Sequence, residues 1–387
     1  MSNVRVRALR SAKLVALALM LVLITAACSR IATPEGWSGG VVTGDMLIIG
    51  TPDGTLLAIN KLDGSTIWRQ ELQASEDVDQ AIYGAVALTE DSLYVGGYNG
   101  SLYVFDLNGN SVRWGNQPLG GPIVGGPVVA GNLVVVGTSV DESDSDGGGA
   151  VYAINGGTGD TVWRFPTAGS VWSSPTIANG VVYFGTLDKT VFALNLADGT
   201  ELWRQSIGGA VVASPLVESG RVYFGAFDST FYALNAQTGD VDWKFTGSER
   251  WYWSKALASG GTIFAPSLDG NMYALNADTG TKFWAFESEG AIVGTPAIVS
   301  GLLAIPVADG GNSKVHLVEL NGSLKDSCRI GDDVLTPLVA DGDLIYFGAT
   351  DKSIRALSIS SNGNPDEEWV HLTDKDDPLP RDRAKAC

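Results

Sequence analysis

Histidine and cysteine are scarce in this 387-residue sequence, which holds two of the first and three of the second. His316 and His371 lie far apart, and neither falls in a metal-ligand spacing or in a pattern with a serine or cysteine nucleophile. Zinc chemistry and triad hydrolysis therefore lack their usual material. No two cysteines are adjacent. Basic residues are also few: 25 Lys and Arg stand against 43 Asp and Glu, for a formal net charge of −18. Arg5, Arg7, Arg10 and Lys13 crowd the N-terminus, so the remainder is more acidic still. Such a surface repels phosphate backbones and anionic head groups, and nucleic acid is not expected as a partner. Long apolar runs are missing too. The longest, Leu14 to Ile24, is about half the length that a membrane-spanning helix needs.

That run follows a basic segment and precedes Thr25, Ala26, Ala27 and Cys28, the layout of a secretory signal peptide over residues 1–27. Small residues directly before a cysteine resemble a lipobox, although Thr25 stands where leucine is usual. Cys28 is the expected lipidation site, with residues 28–36 as a linker. Attachment to a membrane is then expected through acyl chains rather than charge. The alternative is an ordinary signal peptide cut near Ala27, leaving Cys28 as a free thiol, which is unusual in an exported protein. Ser29 is not the aspartate that retains many lipoproteins at the inner membrane. The expected place is the periplasmic face of an outer membrane or, with a single membrane, its outer leaflet.

What is abundant is glycine, at 49 residues, and it recurs with a period. Val181-Val-Tyr-Phe-Gly185 precedes Val191-Phe-Ala-Leu-Asn195 and then Trp203. The same order runs from Arg221-Val-Tyr-Phe-Gly225 to Trp243, and from Thr262-Ile-Phe-Ala265 to Trp284. Copies end at Trp68, Trp114, Trp163 and Trp369, and one spanning Leu302 to Glu319 has lost its tryptophan. Seven of the 11 tryptophans thus occupy one position of the repeat. Each copy offers four strand candidates separated by turns such as Asp53-Gly54, Asn99-Gly100 and Asp269-Gly270. Four strands at a period near forty, eight times over, predict an all-β, eight-bladed propeller of four-stranded antiparallel blades. The tryptophans are expected to fill the gaps between wedge-shaped blades.

The strings Ala233-Leu-Asn-Ala-Gln-Thr-Gly-Asp-Val-Asp-Trp243 and Ala274-Leu-Asn-Ala-Asp-Thr-Gly-Thr-Lys-Phe-Trp284 resemble the tryptophan-docking motif of the PQQ-like repeat family. The resemblance covers residues 37–372 and leaves 373–387 as a polar tail. One branch of that family comprises quinone-dependent alcohol dehydrogenases, which are larger and carry a vicinal disulfide, calcium ligands and a catalytic aspartate. Here the triplets opening the inner strands include Trp37-Ser-Gly39, Tyr83-Gly-Ala85, Trp172-Ser-Ser174 and Trp253-Ser-Lys255, and no triplet holds a carboxylate. A hard cation needs several oxygen ligands, and a quinone carbonyl needs an electrophile beside a base. The expectation is therefore a non-enzyme with no cofactor and no metal, a quinone-dependent dehydrogenase or quinone-binding propeller being the alternative. The other branch is similar to the BamB lipoproteins of outer-membrane β-barrel assembly. It implies a protein-binding scaffold with an envelope protein as partner.

Three further features complete the reading. Glu142, Asp144, Asp146 and Gly147 imitate the start of a calcium loop, but the closing glutamate would fall at Ala153, so a solvated loop is expected. Arg250, Trp251, Tyr252, Trp253 and Lys255 stand at the entrance to the sixth repeat, with Trp172 and Tyr83 at the matching places of two others. Aromatics beside cations there either plug the channel or form a binding face for a peptide or anion. Cys328 lies near the lost tryptophan and Cys387 ends the tail. In an oxidising compartment the two either pair, tying the tail across a blade, or stay as thiols.

Overall fold

The computed structural model describes residues 38–72, 81–140, 148–373 and 387. The signal segment, Cys28, Trp37, the imitation calcium loop at 141–147 and most of the tail lie outside the described residues. Among those described there are 32 strands and no helix. The strands make eight four-stranded sheets, each built from four consecutive antiparallel strands. Blades 1 to 8 span 41–71, 87–118, 128–166, 176–206, 216–245, 257–287, 297–331 and 339–372. The fold is the eight-bladed propeller that the repeats predict.

Burial explains the composition of each strand. The second and third strands of blade 4, Val181–Gly185 and Thr190–Asn195, are almost wholly buried. Both of their faces are covered by neighbouring blades, so they read as continuous apolar runs. The outer strand, Glu201–Ser206, alternates, because only one of its faces packs. Where the second and third strands meet, glycine supplies the positive φ of the turn, as at Gly270 with φ 86°.

The tryptophans link each blade to the next. Trp163 Nε1 donates to Leu196 O at 2.9 Å, Trp203 to Ala236 O at 3.0 Å and Trp243 to Ala277 O at 3.0 Å. Each ring lies over a positive-φ glycine in the following blade: Gly199 under Trp163, Gly239 under Trp203 and Gly280 under Trp243. A Cβ on Gly199 would come within 2.6 Å of the Trp163 ring. Glycine is therefore required twice over, for the turn and for the close approach of the ring. On the tryptophan's own sheet the cross-strand partner is alanine, as in Ala193 opposite Trp203 and Ala274 opposite Trp284.

Blade 7 departs from this arrangement. The place of the tryptophan is taken by Asp326, paired with Leu317, so the large and small residues have changed sides. Cys328 is not at that place but two residues further along the same strand, on the same face. Over Gly363 of blade 8, where a tryptophan would dock, stand the Lys325 side chain and Leu302. This junction is bridged differently. Cys328, fully buried among core residues of blades 7 and 8, is joined to Cys387 by a disulfide with a Cα–Cα distance of 4.9 Å.

Ring closure uses no exchange of strands, since blade 1 and blade 8 are each complete in sequence order. Trp369 of blade 8 docks on blade 1 instead, with Nε1 donating to Lys61 O at 3.0 Å and its ring over Gly64. Tyr346 Oη donates to the same carbonyl at 3.2 Å, and Lys61 Nζ meets Asp341 at 2.7 Å. His371 Nδ1 lies 3.0 Å from Gly64 O. A carbonyl only accepts, so Nδ1 carries the proton.

Candidate functional site

The segment that leads from the outer strand of blade 5 into the inner strand of blade 6, Leu257–Ser259, contains the most unusual residues of the chain. Burial alternates from Trp251 to Ala256, so successive side chains face opposite ways. Trp251 is 50% exposed and Trp253 36%, while Tyr252 between them is completely buried. Ser254 is buried and Lys255 is intermediate. Arg250 is exposed and makes no ion pair among the described residues.

Trp251 and Trp253 come together on Phe227, which projects from a hairpin of blade 5. Phe227 stacks on Trp251 with centroids 4.8 Å apart and on Trp253 at 5.9 Å. The result is a three-ring stack with two half-exposed indoles. Phe227 was not anticipated from the sequence, where it reads as an ordinary turn residue. The stack joins a hairpin of blade 5 to the entrance of the adjacent blade 6, and no local pattern announces that.

Tyr252 is not part of this face, contrary to expectation. Its ring packs on Phe231 at 5.4 Å and closely over Gly225, where a Cβ would meet the Tyr252 Cβ at 2.1 Å. The same place holds Ile82 against Gly50, Val171 against Gly137 and Val211 against Gly185. Tyr252 is thus the sixth repeat's version of a core aliphatic residue, and aligning the repeats one residue before the opening triplet reveals it. Its hydroxyl is buried without a partner. The nearby Ser248 Oγ already has Arg250 O at 2.7 Å and Asp269 Oδ2 at 2.9 Å as acceptors for its single proton. Burial pushes the Tyr252 phenol far above its ordinary value. Ser254 Oγ is also unpartnered. Its counterpart Ser173 accepts from Gly185 N–H at 3.2 Å, whereas the matching residue of blade 6 is Pro266, which has no N–H.

Asp269 shapes the loop. Its carboxylate accepts from Ser248 Oγ at 2.9 Å, Glu249 N at 2.9 Å, Asn271 N at 2.9 Å and Tyr273 Oη at 2.7 Å. Burial opposes its ionisation, but the bond from Tyr273 and those from Glu249, Asn271 and Ser248 outweigh that and hold the carboxyl below its ordinary 3.8. Because the folded value is depressed, the stabilisation is present above the ordinary carboxylate range and is lost as pH falls through the lowered value. Asp269→Ala is expected to cost about 2–3 kcal/mol, since it strands several partly buried donors. Acid titration followed by tryptophan emission should show an acid-dependent loss in the wild type that the variant lacks.

The other candidates are placed separately. Trp172 and Tyr83 occupy the matching positions of blades 4 and 2, half-buried, and Tyr83 meets Tyr98 edge-on at 5.4 Å. His316 does have a serine beside it, contrary to the sequence reading: its Nδ1 lies 2.7 Å from Ser327 Oγ, and Nε2 lies 3.2 Å from Ser288 O. The two residues are cross-strand partners in blade 7, a pairing that needs the register and not the sequence spacing. His316 is buried, and burial lowers its pKa, so the ring acts as a neutral hydrogen-bonding core residue. Among the described residues no group of three or more His, Cys, Asp or Glu is placed to hold a metal.

The profile of the family described as outer membrane protein assembly factor BamB matches residues 37–148, 147–251 and 248–380. No curated protein sequence matches significantly. Among solved structures, BamB from Moraxella catarrhalis is similar at 18% identity and TM-score 0.66, over 82% of this chain and 95% of that one. The computationally designed Ika8 protein is similar at 17% identity and TM-score 0.68, over 87% and 96%. Quinohemoprotein alcohol dehydrogenase from Comamonas testosteroni is similar at 14% identity and TM-score 0.66, over 81% and 70%. At such identities these likenesses show the fold alone, which a redox enzyme and a designed protein share.

Proposed function

Because the chain belongs to the BamB family of PQQ-like propellers, we propose that it is a non-enzymatic, lipid-anchored scaffold of the cell envelope that takes part in outer-membrane protein assembly. The observation that carries this reading is the stack of Trp251, Phe227 and Trp253 with exposed Arg250 beside it. Half-exposed indoles stacked on a neighbouring ring are typical interface anchors, since they bury much area at little entropic cost. Loops on a closed ring are free to vary without disturbing the core, which suits partner recognition. Anchoring through Cys28 would hold the protein at the membrane without help from the acidic surface.

Capture of the anchored protein from its own envelope tests the proposal. Wild-type protein is expected to recover a component of β-barrel assembly. Trp251→Ala with Trp253→Ala is expected to weaken that capture by about thirtyfold or more, as loss of interface anchors does. Cys28→Ala should release the protein from membranes, and unchanged retention would refute the anchor. Recovery of the same partner at unaltered affinity by the double variant would remove this face from the interface. Tight quinone binding with dye-linked alcohol oxidation in the presence of calcium would overturn the non-enzymatic reading.

A further inference from the structure

The innermost residues of the blades form a ring about the propeller axis. Gly126 N donates to Ser174 Oγ at 2.7 Å, and Ser174 N donates to Ser214 Oγ at 3.1 Å. A Cβ on Gly39 would touch both Ala85 and Pro337, at 3.3 and 3.2 Å. These are all third residues of the opening triplets, so equivalent positions of successive blades are direct neighbours. Lys255 is the blade 6 member of this set, and by the same equivalence its neighbours are Ser214 of blade 5 and Thr295 of blade 7. The other members are glycine, alanine, serine, threonine or proline, so Lys255 is the sole charged residue of the ring.

Its ammonium has no hydrogen bond and no ion pair among the described residues. Burial lowers its pKa, and no carboxylate works against that. Lys255 is half-buried, and a cation that gives up part of its hydration is ordinarily paired or hydrogen-bonded. No stabilising role in the blade accounts for it, because the seven other blades use small neutral residues there. The alternation that buries Tyr252 and Ser254 turns Lys255 to the same side as Trp253. Trp253 therefore stands two residues outward from Lys255, and Trp172 and Tyr83 hold the same position in blades 4 and 2.

We propose that the mouth of the central channel is a binding site for a monocarboxylate with a short apolar body, its carboxylate on Lys255 with the Ser214 and Thr295 hydroxyls to either side and its apolar body among the aromatic rings. One cation flanked by neutral hydroxyls matches a single negative charge. A phosphate dianion or a polycarboxylate would need more positive partners, in a protein whose net charge is already −18. This site shares Trp253 with the proposed protein-binding face, but its test is ligand titration of the purified chain and does not involve envelope capture.

The test is titration of the purified full chain with 3-phenylpropionate, with its amide and with inorganic phosphate, followed by calorimetry and tryptophan emission. The acid is expected to bind saturably, and the amide and phosphate at least about tenfold more weakly, since the amide lacks the charge and phosphate lacks the apolar body and carries more charge than one lysine matches. Lys255→Met should weaken the acid by about tenfold or more, and Lys255→Arg should retain most of its affinity. Equal binding of acid and amide, unchanged binding by Lys255→Met, or no saturable binding of the acid in the millimolar range would overturn the proposal. If Lys255→Met does not fold, the contrast between acid and amide in the wild-type protein still decides.

Discussion

Replacing Trp369 with alanine is expected to destabilise the propeller by about 3–5 kcal/mol, the usual cost of emptying a large buried aromatic site. The effect should exceed that of the same change at Trp284. Trp369 is only 1% exposed and belongs to a core shared by blades 1 and 8 with Leu47, Ile49, Ile59 and Tyr346. Trp284, by contrast, is partly exposed. The location matters as much as the burial. An interior junction is also held by the chain that runs through both blades. The junction of blades 8 and 1 has no such connection and no shared strand, so side chains alone close the ring. Denaturant unfolding of the two variants measures the difference. Equal losses would mean that closure is carried elsewhere.

Cys387→Ser is expected to remove about 4 kcal/mol of stability, from the restriction that a disulfide across 59 residues places on the unfolded chain. The loss should appear in unfolding experiments without reductant and vanish when the wild type is fully reduced. The bond reaches the outer strand of blade 7, whose junction with blade 8 is the one that lacks a docked tryptophan. Restoring the usual pair with Asp326→Trp and Leu317→Ala should recover part of the loss in the Cys387→Ser background. No recovery would show that the two features are unrelated. Non-reducing peptide mapping that finds Cys328 and Cys387 as free thiols would dismiss the staple altogether.

The candidate site was legible only in part. Trp251 and Trp253 stood out because sibling repeats hold small residues nearby, and both are exposed as a binding face requires. Tyr252 was misplaced because its neighbours on either side were read as a cluster rather than as an alternation. A strand-like segment sends consecutive residues to opposite faces, and comparison with Ile82, Val171 and Val211 would have sent Tyr252 inward. Phe227 and Asp269 were not visible as site residues, since the turns that hold them look alike in every repeat. Their roles depend on which turn lies beside which entrance. The serine beside His316 was missed for the same reason, because it arrives from the facing strand.

The sequence by itself determined the number of blades, the four strands of each, the turn glycines and the single position that collects the tryptophans. These follow from local periodicity, from turn stereochemistry and from the need to bury strands on both faces, all of which act within about forty residues. Only the tertiary structure decided that each tryptophan lies over a glycine of the next blade, and that Trp369 closes the ring on Gly64. It also decided that Phe227 joins two indoles and that Lys255 stands unpaired among neutral neighbours. Each of these is a contact between repeats. A repeat specifies its own sheet, but which side chains meet across blades is set by closing the ring, which brings residues as distant as Lys61 and Trp369 into contact.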